Sequence, residues 1–355
     1  MKKIIIIIIA VILVAILLAL GTYKILTKPV SKNIEEKKIE IPLGSGTSAI
    51  ADILKENKLI RSKNAFKIYV KLNKISNFQA GTYYLKESMT LKEITDMLQT
   101  GIMYDPNQTT ITYLEGKPMW WLAETIEAKT NHTQEEVYEL LKNEEYLDTL
   151  IAKYWFLTDE IKNTDLYYSL EGYLFPDTYA IANKDEKIED IFGKMLDKME
   201  EVLDPFKEEI ENSNYTVHEL LTLASVVETE GMNDSDRKDV ASVFYNRLKN
   251  NISLGSDVTT YYSVKANMGD RDLYLSEINA KNPYNTRGPG MEGKLPVGPI
   301  CSIGKASIEA AIEPNTTDYF FFVADKNGKL YFTKTNAEHE QIIEKLQSEG
   351  MWYEY

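Results

Sequence analysis

The stretch that decides the reading is Tyr215-Thr216-Val217-His218-Glu219-Leu220-Leu221-Thr222-Leu223-Ala224-Ser225-Val226-Val227-Glu228-Thr229-Glu230-Gly231. Thr216 with Glu219 three residues later is the signature of a capping box. Leu220, Leu223, Ala224 and Val227 then recur at i, i+3, i+4 and i+7, the buried stripe of a helix. Gly231 falls where a left-handed C-cap glycine belongs. At about 100° per residue, Glu228 and Glu230 lie about 160° apart around the axis, so both cannot face one cleft. Glu230 sits on the last turn, where the negative end of the helix dipole disfavours a carboxylate anion. Partial burial pushes a carboxyl pKa the same way, as a general acid working near neutral pH requires. The same residues also read as two solvated glutamates ending a core helix.

The flanking segments add weight to the first reading. Asp239 to Leu248 places Val240, Val243, Phe244 and Leu248 on a second helical face, with Asn246 and Arg247 beside it. Leu254 to Tyr262 reads as a polar turn running into an aromatic strand or helix start. Leu170 to Tyr179, Asn282 to Arg287 and Leu295 to Ile300 are loops dense in Pro, Gly, Asn and Tyr. Aromatic faces next to Asn and Asp suit a sugar, whose ring has apolar faces and a hydroxyl edge. Structural turns in a chain with 23 Tyr are the competing explanation.

Toward the N-terminus, Ile4 to Leu20 is uninterruptedly apolar, with Lys2 and Lys3 before it and Lys24 and Lys28 after it. About 20 apolar residues span a bilayer as a helix, and no Ala-x-Ala site closes this run. Residues 1–23 are therefore expected to be a cytoplasmic start and a retained single-pass anchor in the cell membrane, with the bulk of the chain extracytoplasmic. Residues 24–38 are polar and charged, as a tether is. Residues 39–104 read as a small α+β domain. Lys38 to Ile41 and Gly81 to Leu85 alternate as strands, Thr47 caps a helix through Ile50 and Leu54, and Phe66, Tyr69 and Val70 mark a second. Thr90 and Glu93 box a third, stopped by Gly101. Residues 105–355 form a longer mixed α+β domain, with helical stretches over Gln134–Glu160 and Lys187–Glu211.

Composition narrows the chemistry. The chain has 355 residues, 44% hydrophobic and 26% charged, enough for two domains with cores. Forty Lys and Arg against 54 Asp and Glu leave −14, and setting aside Lys2 and Lys3 leaves −16 for the remainder. Such a surface repels phosphate backbones, so nucleic acid is not an expected partner. One Cys, Cys301, and three His exclude a disulfide framework and a Cys-rich or His-rich metal centre. His218-Glu219-Leu220-Leu221-Thr222 begins like a zinc-peptidase helix but lacks the second His. No nucleophile elbow or phosphate-binding loop occurs.

Seven segments in order carry a resemblance: LEGYLFPDTY (170–179), LASVVETEG (223–231), ASVFYNRL (241–248), LGSDVTTYY (254–262), NPYNTR (282–287), LPVGPI (295–300) and YFFFVAD (319–325). Together they resemble the YceG-like family of membrane-anchored endolytic murein transglycosylases, over most of the chain. The resemblance implies an anchor, a LysM-like domain and a catalytic domain built round a transglycosylase helix. It implies cleavage of the bond between N-acetylmuramic acid and N-acetylglucosamine to leave 1,6-anhydro ends, without a cofactor or metal. The catalytic glutamate maps onto Glu230. The Tyr284-Asn285-Thr286 and Gly255-Ser256-Asp257 stretches map onto cleft-lining loops, and Glu228 is then a supporting carboxylate or merely a neighbour; Glu171, Tyr173, Asp177 and Asn246 join them as substrate-binding candidates from the reading of their own segments. Partners so implied are peptidoglycan strands, the cytoplasmic membrane and penicillin-binding proteins. The chain departs from the family pattern at Asp257-Val258-Thr259, Pro296-Val297-Gly298-Pro299, Ser302-Ile303-Gly304 and Leu330. Two other readings remain at this point: a hydrolytic muramidase using a second carboxylate from Glu171, Asp177 or Asp257, and a non-catalytic glycan-binding scaffold.

Overall fold

The computed structural model describes residues 21–42, 44–100, 109–231 and 233–352. The apolar run Ile4–Leu20 and the expected helix stop Gly101 lie outside them. Among the described residues no helix is long and apolar enough to cross a membrane. The chain divides into two compact units, one ending at Gln108 and the other beginning at Thr109.

The first unit runs β1 (Glu36–Ile41), α1 (Thr47–Glu56), α2 (Lys63–Leu72), β2 (Gly81–Lys86) and α3 (Leu91–Thr100). β1 and β2 are antiparallel, with Ile39 opposite Tyr83. Period-2 alternation puts Ile39, Ile41, Tyr83 and Leu85 on one face, buried against Ile50, Leu54, Phe66 and Ile94. The α3 box forms as read: Thr90 N–H donates to Glu93 Oε2 at 2.7 Å and Glu93 N–H to Thr90 Oγ1 at 3.2 Å. Two expectations change. Thr47 is the first helical residue rather than the cap, which is Gly46 and has no capping side chain. The tether is tied down at its far end, because Arg61 Nη2 donates to the Val30 carbonyl at 2.8 Å and Ser31 Oγ to Glu87 Oε2 at 2.7 Å. These bonds reach 31 and 56 residues along the chain, so composition cannot foresee them.

The second unit opens with β3 (Thr110–Thr112), α4 (Met119–Lys129), α5 (Gln134–Leu141) and α6 (Glu144–Lys153). β4 (Thr178–Ala180) pairs antiparallel with β3, with Ile111 opposite Tyr179. α7 (Ile188–Leu203) and α8 (Lys207–Glu211) lead to α9 (Val217–Glu230) and α10 (Asp234–Lys249). α11 (Asp257–Ser263), α12 (Leu275–Ile278) and α13 (Lys305–Ile312) follow, then an antiparallel hairpin of β5 (Phe321–Ala324) and β6 (Leu330–Thr333), and α14 (Asn336–Ser348). The LGSDVTTYY segment is therefore helical from Asp257. The architecture is mixed α+β, mostly helices with three small two-stranded sheets among the described residues.

α9 is the core of this unit, packed by α10, α11 and α13. Both capping-box bonds are present, and Leu220, Leu221, Leu223, Ala224, Val226 and Val227 are buried, wider than the one-sided stripe. Each fully buried Leu or Val contributes roughly 1.5–3 kcal/mol relative to exposure. The helix end differs from expectation. Gly231 has φ −76° and ψ 114°, an extended residue and not a left-handed cap. Its requirement is space: a Cβ there would come 2.9 Å from Arg237 Cγ and 2.9 Å from the Val227 carbonyl oxygen.

Candidate active site

The two glutamates at the end of α9 meet different surroundings. Glu228 is nearly closed off, with 5% of its side chain exposed. Its Oε1 is 3.2 Å from Arg237 Nη2, and its Oε2 accepts from the Gly304 N–H at 2.9 Å. Arg237 is held in turn by Ser307 Oγ at 2.6 Å and Asp234 Oδ1 at 3.2 Å. Both carboxylate oxygens are engaged, one by an ion pair and the other by a helix N-terminus. Glu228 thus clamps α9 to α10 and α13.

Glu230, half-buried, accepts one hydrogen bond at Oε1 from Ser256 Oγ at 2.6 Å. Burial pushes its pKa above the usual carboxylate range. The Ser256 bond opposes that push, Asp257 adds to it, and Arg287 and Arg247 oppose it. The net direction is up, which favours the acid form. Because Oε1 accepts from Ser256, the proton of the acid form belongs on Oε2.

Ser256 is fixed by a buried hydroxyl network. Its N–H donates to Thr286 Oγ1 at 3.0 Å, and its carbonyl accepts from Thr259 Oγ1 at 2.7 Å. Thr259 Oγ1 and Thr286 Oγ1 lie 2.8 Å apart. Asn285 anchors the same loop, its Nδ2 donating to the Ala280 carbonyl at 2.8 Å and its Oδ1 accepting from Thr260 Oγ1 at 2.7 Å. Gly255, at φ +59°, turns the chain into this position in a region other residues rarely adopt. Asp257 forms an ion pair with Arg287, and both are half exposed at the rim beside Glu230.

The other expected substrate contacts are distributed differently. Ser256 and Asp257 adjoin Glu230, whereas Asn285 and Thr286 are fully buried behind Ser256 and support it. Glu171 and Tyr284 are buried too, in a cluster with Tyr262, and present no face to a ligand. Glu171 Oε2 accepts from the Met119 N–H at 2.8 Å and the Tyr262 hydroxyl at 3.0 Å, and burial raises its pKa to about 8. Tyr173 is buried against His218, with its hydroxyl 2.9 Å from Nδ1. His218 Nε2 lies 2.9 Å from the Val297 carbonyl, which can only accept, so in the neutral ring Nδ1 accepts the hydrogen bond that the Tyr173 hydroxyl donates. Asn246 donates to the Thr317 and Tyr319 carbonyls at 3.0 and 2.9 Å, holding the segment before β5. Asp177 is exposed at the start of β4, its Oδ1 accepting from the Thr178 N–H at 2.7 Å. Cys301 is buried, which pushes its thiol pKa well up and leaves it a core residue.

Thr259, Arg287 and Arg247 bear on Glu230 or on the loop that holds it, although none was among the expected site residues. Each lies inside a quoted motif, but nothing in a linear reading says which side chains of a loop turn inward. Glu230 also lies outside one sizeable recess of the unit. This cavity of about 740 Å³ sits against the first turns of α9, beside His218, Glu219 and Thr222.

A single carboxyl group, raised in pKa by burial and held by one hydroxyl, is an arrangement that can give and take a proton. The chain belongs to the YceG-like family, whose model matches residues 39–345. It is 38% identical over 328 residues to the endolytic murein transglycosylase of Bacillus subtilis strain 168, covering 92% of this chain and 89% of that one. It is 32% identical over 319 residues to the endolytic murein transglycosylase of Streptococcus pneumoniae serotype 2 strain D39, covering 86% of this chain and 57% of that longer one. The crystal structure of a yceG-like protein from Listeria monocytogenes superposes with a TM-score of 0.62 at 33% identity, covering 88% of this chain and all of that one.

Proposed function

We propose that this chain is an endolytic murein transglycosylase that cuts glycan strands at the bond between N-acetylmuramic acid and N-acetylglucosamine. The observation that carries the reading is the Glu230 carboxyl, raised in pKa and held by Ser256 at the end of the buried helix α9. Its relatives' names point to the same reaction. Glu230 Oε2–H protonates the glycosidic oxygen as the bond to C1 breaks. The resulting carboxylate takes the proton from the C6 hydroxyl, whose oxygen closes onto C1. A 1,6-anhydro end forms, Glu230 regains its proton and no water is consumed. One residue serves both steps, unlike the paired carboxylates of most glycosidases.

The wider setting is part of this reading. Residues 4–20 hold the chain in the cell membrane as a single pass, with the remainder outside the cytoplasm. The first unit, with its β-α-α-β order, is LysM-like and meets glycan near that surface. Cutting of nascent strands ends their elongation beside penicillin-binding proteins.

Digestion of un-crosslinked glycan strands by wild type and Glu230→Gln, with product ends read by mass spectrometry, tests the reaction. Wild type is expected to give anhydro ends and the variant none. Ends one water heavier from the wild type would mark a hydrolase. Anhydro ends at the wild-type rate from the variant would remove Glu230 from its role.

A further inference from the structure

The cavity of about 740 Å³ at the start of α9 takes no part in the acid/base site. Its walls are Tyr215 and Tyr245, whose rings stand 5.2 Å apart, with Leu295 and Val297 from the loop that His218 pins to α9. Four charged side chains border it: Lys249, Lys294, Glu160 and Glu219. The two glutamates are already engaged. Glu219 Oε2 closes the capping box on the Thr216 N–H at 2.9 Å, and Glu160 Oε1 accepts from Thr216 Oγ1 at 3.0 Å. The lysines are not engaged with acids. Among the described residues Lys294 Nζ donates only to the Gly290 carbonyl, at 2.8 Å, and Lys249 forms no ion pair. Most other lysines that frame this unit's surface do find a carboxylate, as Lys153, Lys162, Lys194 and Lys238 do.

The cavity is coupled by chain to Glu230. Lys249 leads through Ile252 to Ser256, and Lys294 leads back through Gly293 to Arg287. The two segments are joined, since the Gly293 N–H donates to the Ile252 carbonyl at 3.2 Å and Ser253 Oγ to the Thr286 carbonyl. Along α9, Thr222 on the cavity wall and Glu230 are separated by about 12 Å at about 1.5 Å per residue. That spacing sets the cavity about 12 Å along α9 from Glu230, more than the width of one sugar ring.

We propose that this cavity binds the peptide substituent of the murein strand, with Lys249 and Lys294 taking its carboxylates and the Tyr215–Tyr245 corner its apolar side chains. The inference rests on the proposed murein cleavage. The two lysines favour carboxylates and the aromatic corner favours apolar side chains, a combination that a peptide supplies, whereas a bare neutral glycan would leave the lysines unused.

The test uses the full chain and two preparations of un-crosslinked strands, one bearing peptides and one stripped of them by an amidase. Wild type is expected to show about a tenfold higher kcat/KM on the peptide-bearing strands, mainly through KM. In Lys249→Ala/Lys294→Ala that ratio is expected to fall to about one. In parallel, free stem peptide titrated into Glu230→Gln should bind saturably, and adding the two lysine substitutions should abolish that binding with the melting temperature unchanged. A wild-type ratio of one, or a double variant that keeps the wild-type ratio, overturns the proposal. Should wild type cut neither strand, the cleavage reading fails, and the titration alone then decides whether the cavity binds peptide.

Discussion

Ser256 Oγ lies 2.6 Å from Glu230 Oε1, and Ser256 itself is locked at both its N–H and its carbonyl by Thr286 and Thr259. One hydroxyl therefore orients the Glu230 carboxyl and opposes the upward push that burial exerts on its pKa. Without it, the acid would be stronger held in its protonated form and free to rotate.

Ser256→Ala should accordingly slow cleavage and shift its pH dependence. A hydrogen bond to a charged group contributes about 1.5–3 kcal/mol, so kcat is expected to fall about tenfold or more. Because that bond stabilises the carboxylate, its loss raises the Glu230 pKa, and the alkaline limb of kcat/KM moves to higher pH. A rate–pH profile measures both. An unchanged alkaline limb with a reduced rate would assign Ser256 to substrate contact instead.

Glu228→Gln is expected to act on stability before chemistry. Removing the buried partner leaves Arg237 with only the exposed Asp234 as counter-charge, so the loss is expected to stay below the roughly 3–5 kcal/mol of a fully stranded buried charge. Denaturant melts should show that loss, and Glu228→Gln/Arg237→Met should recover much of it. If the single variant melts like wild type yet loses activity, Glu228 belongs to the reaction.

Glu171 gives the fold a pH dependence of its own. Burial raises its pKa to about 8, above its unfolded value, so the folded state binds its proton more tightly. The associated stability is full below the unfolded pKa of about 4.5 and declines by about 1.4 kcal/mol per pH unit until the folded pKa is passed. Melting temperatures measured from pH 5 to 9 should fall with rising pH, and Glu171→Gln should flatten the slope. An equal slope in the variant would place the titration elsewhere.

Much of the local structure was legible in the chain. Thr216 and Glu219 announce the start of α9, and the apolar spacing from Leu220 to Val227 announces its burial, because both depend on neighbours within one or two turns. The separation of Glu228 from Glu230 follows from helical geometry alone. The loops were not legible in the same way. LGSDVTTYY and NPYNTR point to a site, but Asn285 and Thr286 turn inward as supports while Asp257 and Arg287 stay at the rim. Their side chains answer to partners some 25 to 30 residues away, and Gly231 is a glycine because Arg237 passes over it, not because of its own backbone angle.

The charge is a last instance of the division. Sequence by itself determined the excess of acid, the lone Cys301, the apolar run of Ile4–Leu20 and the helix that ends in two glutamates, since these are properties of composition and short spacing. Only the tertiary structure decided which glutamate is free to act. It neutralised Glu228 with Arg237, held Glu230 by the Ser256 hydroxyl and, among the described residues, kept Lys249 and Lys294 out of ion pairs beside a cavity. Each of those outcomes depends on which groups burial brings together, and burial is settled by packing across the whole unit.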